Sequence, residues 1–156
     1  MKTITTIGVI SDTHGLVRPE ALEALEGSKF IIHAGDVGHL KVLEALREIA
    51  PVLVVRGNND QEGWGQEIPL TEVVEVGSHS LYVLHELAHL DLDPATAKLS
   101  AIIYGHSHKP QAEYREGVLF LNPGSAGLRR FRLPVTVAHL YVGRHKLAYD
   151  IVDLTA

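Results

Sequence analysis

Ala101-Ile102-Ile103-Tyr104-Gly105-His106-Ser107-His108 joins a short apolar run to a turn that carries two imidazoles. The run reads as a buried strand. At the end of a strand, side chains at i and i+2 can converge on one side of a turn. Imidazole is a common ligand of divalent metals near neutral pH. Four stretches upstream repeat the arrangement of an apolar strand followed by metal-type residues: Asp12-Thr13-His14, Gly35-Asp36, Gly57-Asn58-Asn59-Asp60 and His85.

The segments between these stretches alternate strand and helix. Residues 4–10, 30–34 and 52–55 are continuous apolar runs rich in β-branched side chains. Residues 19–26 read as a helix with Pro19 in its first turn and Gly27 just past its end. Residues 40–49 carry a broad apolar face of Leu40, Val42, Leu43, Leu46 and Ile49, with Lys41, Glu44, Arg47 and Glu48 outside. Such β-loop-α repetition implies parallel strands covered on both faces. In such sheets functional residues collect at the carboxyl ends of the strands, where Asp12, His14, Asp36 and Asn58 stand.

The second half reads as hairpins. Residues 61–69 form a polar loop holding the only tryptophan, Trp64. Strands at 72–76 and 80–84 flank Gly77-Ser78-His79, and later runs turn at Glu116-Gly117 and Gly143-Arg144-His145. A short helix is expected to start at Asp93-Pro94. This half, including the runs at 135–142 and 146–152, predicts a second, mostly antiparallel sheet packed on the first.

Bulk properties narrow the chemistry. The 156 residues favour one domain, 1–156, with room for a real core. With no cysteine, any metal must be held by N and O ligands. A formal charge of −5 argues against broad binding to nucleic-acid phosphates. Two divalent ions would take that charge to about −1, so a small phosphate substrate stays compatible. No apolar run reaches the ~18–20 residues of a membrane span. Met1-Lys2-Thr3-Ile4 runs straight into strand-like sequence without a secretion signal, so a cytoplasmic location is expected.

Taken in order, Asp-x-His, Gly-Asp, Gly-Asn-x-Asp, His and Gly-His-x-His resemble the motif set of the calcineurin-like metallophosphoesterases. The stretches 9–15 and 32–37, with Asn122-Pro123-Gly124-Ser125, resemble its small single-domain phosphodiesterase branch. The resemblance covers nearly the whole chain. It implies an α/β fold, a four-layer α/β/β/α sandwich of two packed mixed β-sheets flanked by helices, with a two-metal site between the sheets. It places Asp12, His14, Asp36 and His108 on one metal and Asp36, Asn58, His85 and His106 on the other, with Asp36 bridging. It implies two divalent ions per chain, manganese first, with nickel, iron, zinc and magnesium as alternatives. The reaction implied is phosphodiester hydrolysis by in-line attack of a hydroxide held between the ions. A phosphomonoesterase or nucleotidase on the same site, and a non-catalytic scaffold of the same fold, are the alternatives. A small phosphate ester is the expected partner, without membrane or specific nucleic-acid binding, and a homo-oligomer stays open.

Two residues depart from the commonest family pattern. Asn59 stands where most members place a histidine thought to protonate the leaving group, and an amide supplies no proton at neutral pH. Glu86 follows His85 where glycine is common, and adds a carboxylate near the site. Asn58 and Asn59 are the expected substrate contacts. Arg129, in the basic cluster Arg129, Arg130 and Arg132, is a further candidate for steering a phosphate. Trp64 and the loop 87–93 are candidate pocket walls. Each motif alone is ordinary turn chemistry; their joint order at strand ends carries the argument.

Overall fold

Alternating side chains sort the strands into layers. The computed structural model of the chain describes residues 4–60, 63–130 and 132–155. Strands β1 (Thr5–Ile10), β2 (Phe30–His33) and β3 (Val52–Val54) run parallel, connected by helices α1 (Pro19–Leu25) and α2 (Leu40–Arg47). Strands β4 (Thr71–Val76), β5 (His79–Leu84), β6 (Ala101–Ile103), β7 (Gln111–Arg115) and β8 (Val118–Asn122) build a second sheet, in the order β4-β5-β6-β8-β7. Strands β9 (Thr136–Val142) and β10 (Leu147–Asp153) return to the first sheet, whose order is β10-β9-β1-β2-β3.

That return corrects the sequence expectation, which placed the last hairpin in the second sheet. β9 instead pairs antiparallel with β1, Ile7 opposite Leu140. A hairpin signal identifies the partner within the hairpin and says nothing of the outer one. The second sheet is also mixed rather than mostly antiparallel, because β6 lies parallel to both β5 and β8.

Period-two burial builds three apolar layers. Ile7 and Val9 of β1 and Ile32 of β2 face Leu81, Val83, Ala101, Ile103, Leu119 and Leu121 between the sheets. On the outer side of the first sheet, Ile10 and Ile31 pack with Leu25 of α1 and Val42, Leu43 and Leu46 of α2. On the outer side of the second sheet, Tyr82, Leu84, Ile102 and Phe120 are covered by Leu87, Leu90, Leu92 and Leu99. This fourth layer is thin, with one 3-10 turn (Leu87–His89) and irregular chain. The helix expected at Asp93 is a single turn. The Asp93 carboxylate accepts from Ala95 N at 3.2 Å and Thr96 Oγ1 at 3.0 Å, and Lys98 leaves the turn at φ 59°.

Local signals explain the ends of the elements. Pro19 opens α1, and His39 caps α2 by accepting from Lys41 N at 3.0 Å. The Glu116-Gly117 turn holds both residues at positive φ, the geometry of a two-residue hairpin loop. Trp64 lies on a 3-10 turn (Gly63–Glu67) and packs into the helix-side core, so it is no pocket wall. Residues 61 and 62 of the expected loop lie outside the described residues. No described helix is long and apolar enough to cross a membrane.

Gly8 sets how closely α1 approaches the sheet. A Cβ there would meet Leu25 Cδ2 at 2.7 Å and Ser28 Oγ at 2.8 Å. Gly8→Val is therefore expected to cost about 1–3 kcal/mol by overpacking. Urea unfolding checks this; an unchanged midpoint would show that α1 is free to shift outward.

Candidate metal centre

Every residue of the centre lies just past a strand. Asp12 and His14 follow β1, Asp36 follows β2 and Asn58 follows β3. His85 follows β5, and His106 and His108 follow β6. The packed sheets therefore bring their carboxyl ends to one rim. The loops are stitched by Asp12 N to Gly35 O (3.0 Å), His14 N to Asp36 O (3.0 Å) and Gly105 N to His85 O (2.9 Å).

Turning side chains back over the strand ends strains the backbone. Asp12, His14, Asp36, His106 and His108 all have φ between 47° and 74°, the left-handed region that non-glycine residues avoid. Only two other described non-glycine residues, Lys98 and Glu116, share it. Such strain concentrates at functional sites, where the surroundings over-determine it. Gly35 and Gly57 supply the room: a Cβ on Gly35 would meet His85 Nδ1 at 2.6 Å, and one on Gly57 would collide with the Asp36 carboxylate.

Two groups of ligand-type atoms result. Asp12, His14 and His108 form one; Asp12, Asp36 and His85 form the other. Asp12 Oδ1 lies 3.5 Å from His108 Nε2 and 3.8 Å from the Nε2 atoms of both His14 and His85. Asp36 Oδ2 lies 3.3 Å from His85 Nε2 and 3.8 Å from His14 Nε2. His14 and His108 stack with their Nε2 atoms 3.3 Å apart. The inward end of the Asn58 amide is 3.1 Å from His85 Nε2 and 3.2 Å from each Asp36 oxygen.

Both carboxylates are out of solvent, and their oxygens differ in a telling way. Asp12 Oδ2 accepts from Ser11 Oγ at 2.7 Å and from His106 N at 3.0 Å. Asp12 Oδ1 is buried without a hydrogen-bond partner among the described residues, facing imidazoles. Burial pushes the Asp12 carboxyl up, against the pull of His85, Ser11 and His108. Burial acts the same way on Asp36, but the His85 and Asn59 hydrogen bonds and the charges of His85 and His14 hold it down at about 2. His85 is raised: its burial is outweighed by Asp36, Asp12 and the Ala34 carbonyl. His108 is lowered by burial, with Arg130 and His14 adding to the effect against Asp12.

This donor set fits divalent metal. A buried carboxylate oxygen facing imidazoles is the arrangement a cation completes. His85 Nδ1 donates to Ala34 O at 2.7 Å, so Nε2 is the ring atom turned to the carboxylates.

Other expected residues take different places. The His106 side chain is 43 % exposed and lies 3.4 Å from Glu86 Oε1 rather than within either ligand group. Asn59 is tied to Asp36, its N–H to Oδ1 at 2.9 Å and its Nδ2 to Oδ2 at 3.2 Å. Arg129 turns away, donating to Leu133 O at 3.1 Å and acting on Asp153. Arg130 is the arginine whose charge reaches His108. His33 is fully buried; Nδ1 accepts from Gly35 N at 3.1 Å and Nε2 meets Thr13 Oγ1 at 3.0 Å. Burial lowers its pKa to about 3, so it stays neutral.

Two residues emerge that the motifs did not flag for these roles. Asp60 is buried and accepts from Val37 N (3.0 Å), Gly38 N (3.0 Å) and Gly57 N (3.1 Å), clamping the loops that carry Asp36 and Asn58. Asn122 donates to Gly105 O at 3.1 Å and Ser107 Oγ at 3.0 Å, propping the two-histidine turn. A buried turn-type residue beside a ligand loop was the available signal for each. An open cleft of about 720 Å³ begins at Asn58 and His85 and is lined further by Arg56, Gln66, Thr71 and Glu86.

Known proteins resemble the chain along most of its length. The family model for the calcineurin-like phosphoesterase superfamily domain matches residues 6–145. A probable metallophosphoesterase of Methanothermobacter thermautotrophicus is 34% identical, with 94% of this chain and 91% of that protein covered. Phosphodiesterase YfcE of Escherichia coli is 30% identical, with 83% and 84% covered. Vacuolar Protein Sorting 29 from Cryptosporidium parvum superposes with a TM-score of 0.81 at 20% identity over 96% of this chain and 91% of that one, a likeness of fold.

Replacing Asp60 by alanine frees three backbone donors and loosens both ligand loops at once. Apparent affinity for Mn²⁺ is expected to fall about 10–100-fold, the range for residues that support metal ligands. Calorimetric titration of chelated protein measures it, and an unchanged affinity would show that the loops hold their geometry without the clamp.

Proposed function

The chain belongs to the calcineurin-like phosphoesterase superfamily, and on that premise we propose that it is a metal-dependent phosphodiesterase working through two divalent ions. The observation that carries the reading is Asp12 Oδ1, buried, without a donor among the described residues and faced by three imidazoles. Asp12, His14, Asp36 and His108 would hold one ion, and Asp36, Asn58, His85 and His106 the other. The Asn58 amide fits that role with its oxygen inward, as one acceptor among acceptors. His106 would join by turning from Glu86. Imidazole mixed with carboxylate suits manganese, nickel, iron or zinc, whereas magnesium takes more oxygen. Bound ions would supply positive charge to the phosphate oxygens and an activated water for in-line attack.

The chain's own residues do the rest. Against the push of burial, Asp36 is held below the usual carboxylate range by His85 first and by the Asn59 N–H next, and the Asn59 side chain adds a hydrogen bond to its second oxygen. Asn59 therefore orients a ligand and brings no acidic proton. His33 cannot replace it as acid, because it is buried and neutral. The open cleft beside Asn58 and His85 has room for the arms of a diester. A scaffold of the same fold without catalysis is the second reading; the buried groups of ligand-type residues weigh against it.

The experiment is hydrolysis of bis(4-nitrophenyl) phosphate and 4-nitrophenyl phosphate by chelated protein refilled with Mn²⁺. The diester is expected to be the better substrate, EDTA to stop turnover, and His108→Ala to cut the rate roughly 10²-fold or more while the protein stays folded. A preference for the monoester would move the reading to a phosphomonoesterase, and no turnover of either would favour the scaffold. With no acid at position 59, the diester rate is also expected to fall steeply as leaving-group pKa rises. Asn59→His is expected to flatten that dependence, since general-acid assistance contributes ~10²–10⁴ in rate. A shallow dependence in the native protein would show that another group donates the proton.

A further inference from the structure

A half-buried cation is held at a cost unless something answers its charge. Arg56 is such a cation. It follows β3 directly, and its N–H donates to Pro69 O at 2.8 Å, fixing its backbone in the wall of the cleft. Its guanidinium makes no hydrogen bond or ion pair with any described residue, although the residue is half-buried. Gly57 alone separates it from Asn58 along the chain.

Among the described residues, the other charge lining this cleft is in a different state. Glu86 lies 3.4 Å from His106 Nε2 through Oε1 and 3.4 Å from His89 Nε2 through Oε2. Its carboxylate already has cationic-capable neighbours on both oxygens, and it does not pair with Arg56. The cleft is thus polarised, with a positive charge unanswered among the described residues on the Arg56 wall and a carboxylate on the Glu86 wall. Gln66 and Thr71 line the same cleft and can add hydrogen bonds to a polar group there. An anionic substrate arm would be drawn toward Arg56 and repelled from Glu86, which fixes which arm of a diester lies on which side.

We propose that Arg56 is a specificity-determining residue that binds a second anionic group, a carboxylate or a phosphate, on the retained arm of the phosphodiester. The substrate class is then a diester with one charged arm and one uncharged leaving arm. This rests on the phosphodiesterase reading for the chemistry, but the anion subsite can be measured without turnover. A planar guanidinium recognises carboxylate or phosphate through paired hydrogen bonds, which lysine does not reproduce.

The test compares phenylphosphonate with 4-carboxyphenylphosphonate, by calorimetry on the Mn²⁺-loaded protein. The two probes share the metal-binding group and differ in one carboxylate. The carboxylated probe is expected to bind about tenfold tighter, a difference removed by Arg56→Gln and partly kept by Arg56→Lys, with phenylphosphonate affinity unchanged. The kinetic arm compares bis(4-nitrophenyl) phosphate with 4-nitrophenyl 4-carboxyphenyl phosphate. Arg56→Gln is expected to raise KM for the carboxylated diester alone and to leave kcat for both unchanged. Equal affinity of the native protein for the two phosphonates overturns the proposal. So does an equal loss for both in Arg56→Gln, which would mark a general field effect on the shared phosphonate. If the affinity difference is present and no diester is hydrolysed, the anion subsite stands and the phosphodiesterase reading falls.

Discussion

Two carboxylates withdrawn from water at one rim are the constraint on which the rest of this structure depends. Asp12 is 0 % exposed and Asp36 is 2 % exposed. A buried carboxylate is costly unless hydrogen bonds or a cation answer its charge. Three of the four oxygen positions are answered from the protein: Asp12 Oδ2 by Ser11 and His106 N, Asp36 Oδ1 by Asn59 N, and Asp36 Oδ2 by Asn59 Nδ2. Asp12 Oδ1 is answered by no hydrogen bond among the described residues and faces imidazoles instead. The imbalance lies where ligand atoms from both sheets meet, so the fold and the site pose one electrostatic problem.

The sandwich is what makes that meeting possible. Parallel strands β1, β2 and β3 in one sheet and β5 and β6 in the other deliver their carboxyl ends to the same rim. The chain leaves β1, β2, β3 and β6 through residues with positive φ or a close glycine, and the strain is offset by cross-loop bonds such as those of Asp60 and Asn122. Ser125 adds to this bracing, its Oγ donating to Asp12 O at 3.0 Å, while Arg18 reaches the next loop at Gly127 O. The Asn122-Pro123-Gly124-Ser125 stretch is thus a brace for the turn after β6 and the loop after β1 together.

Much of this was legible in the sequence because strand periodicity and strand-end chemistry are local signals. The βαβ half, the helix at α2 and the hairpin turn at Glu116-Gly117 follow from apolar spacing and turn residues alone, whereas the turn expected at Gly77-Ser78-His79 is a residue shorter, His79 opening β5. The sheet to which β9 belongs was not legible, since it depends on which strand edge is free, and β9 takes the edge of β1 opposite β2. Ligand-type residues could be named from their positions after strands, but side-chain direction could not. His106 leaning on Glu86, Asn59 bonded to Asp36 and Arg129 turned to Leu133 O are outcomes of loop geometry. The sequence shows Asp60 only as the last residue of a turn; its three backbone contacts involve residues more than twenty positions away as well as Gly57.

The most direct measurement is the number of Mn²⁺ ions bound per chain at equilibrium, read by elemental analysis after dialysis of chelated protein, with thermal melting in parallel. Binding to the folded state alone raises the melting temperature with free metal concentration. A value close to two ions per chain and a clear rise in melting temperature are expected. Less than one ion per chain, with melting unchanged at millimolar Mn²⁺, would contradict this, because the buried carboxylates would then be held without the cations that this arrangement calls for.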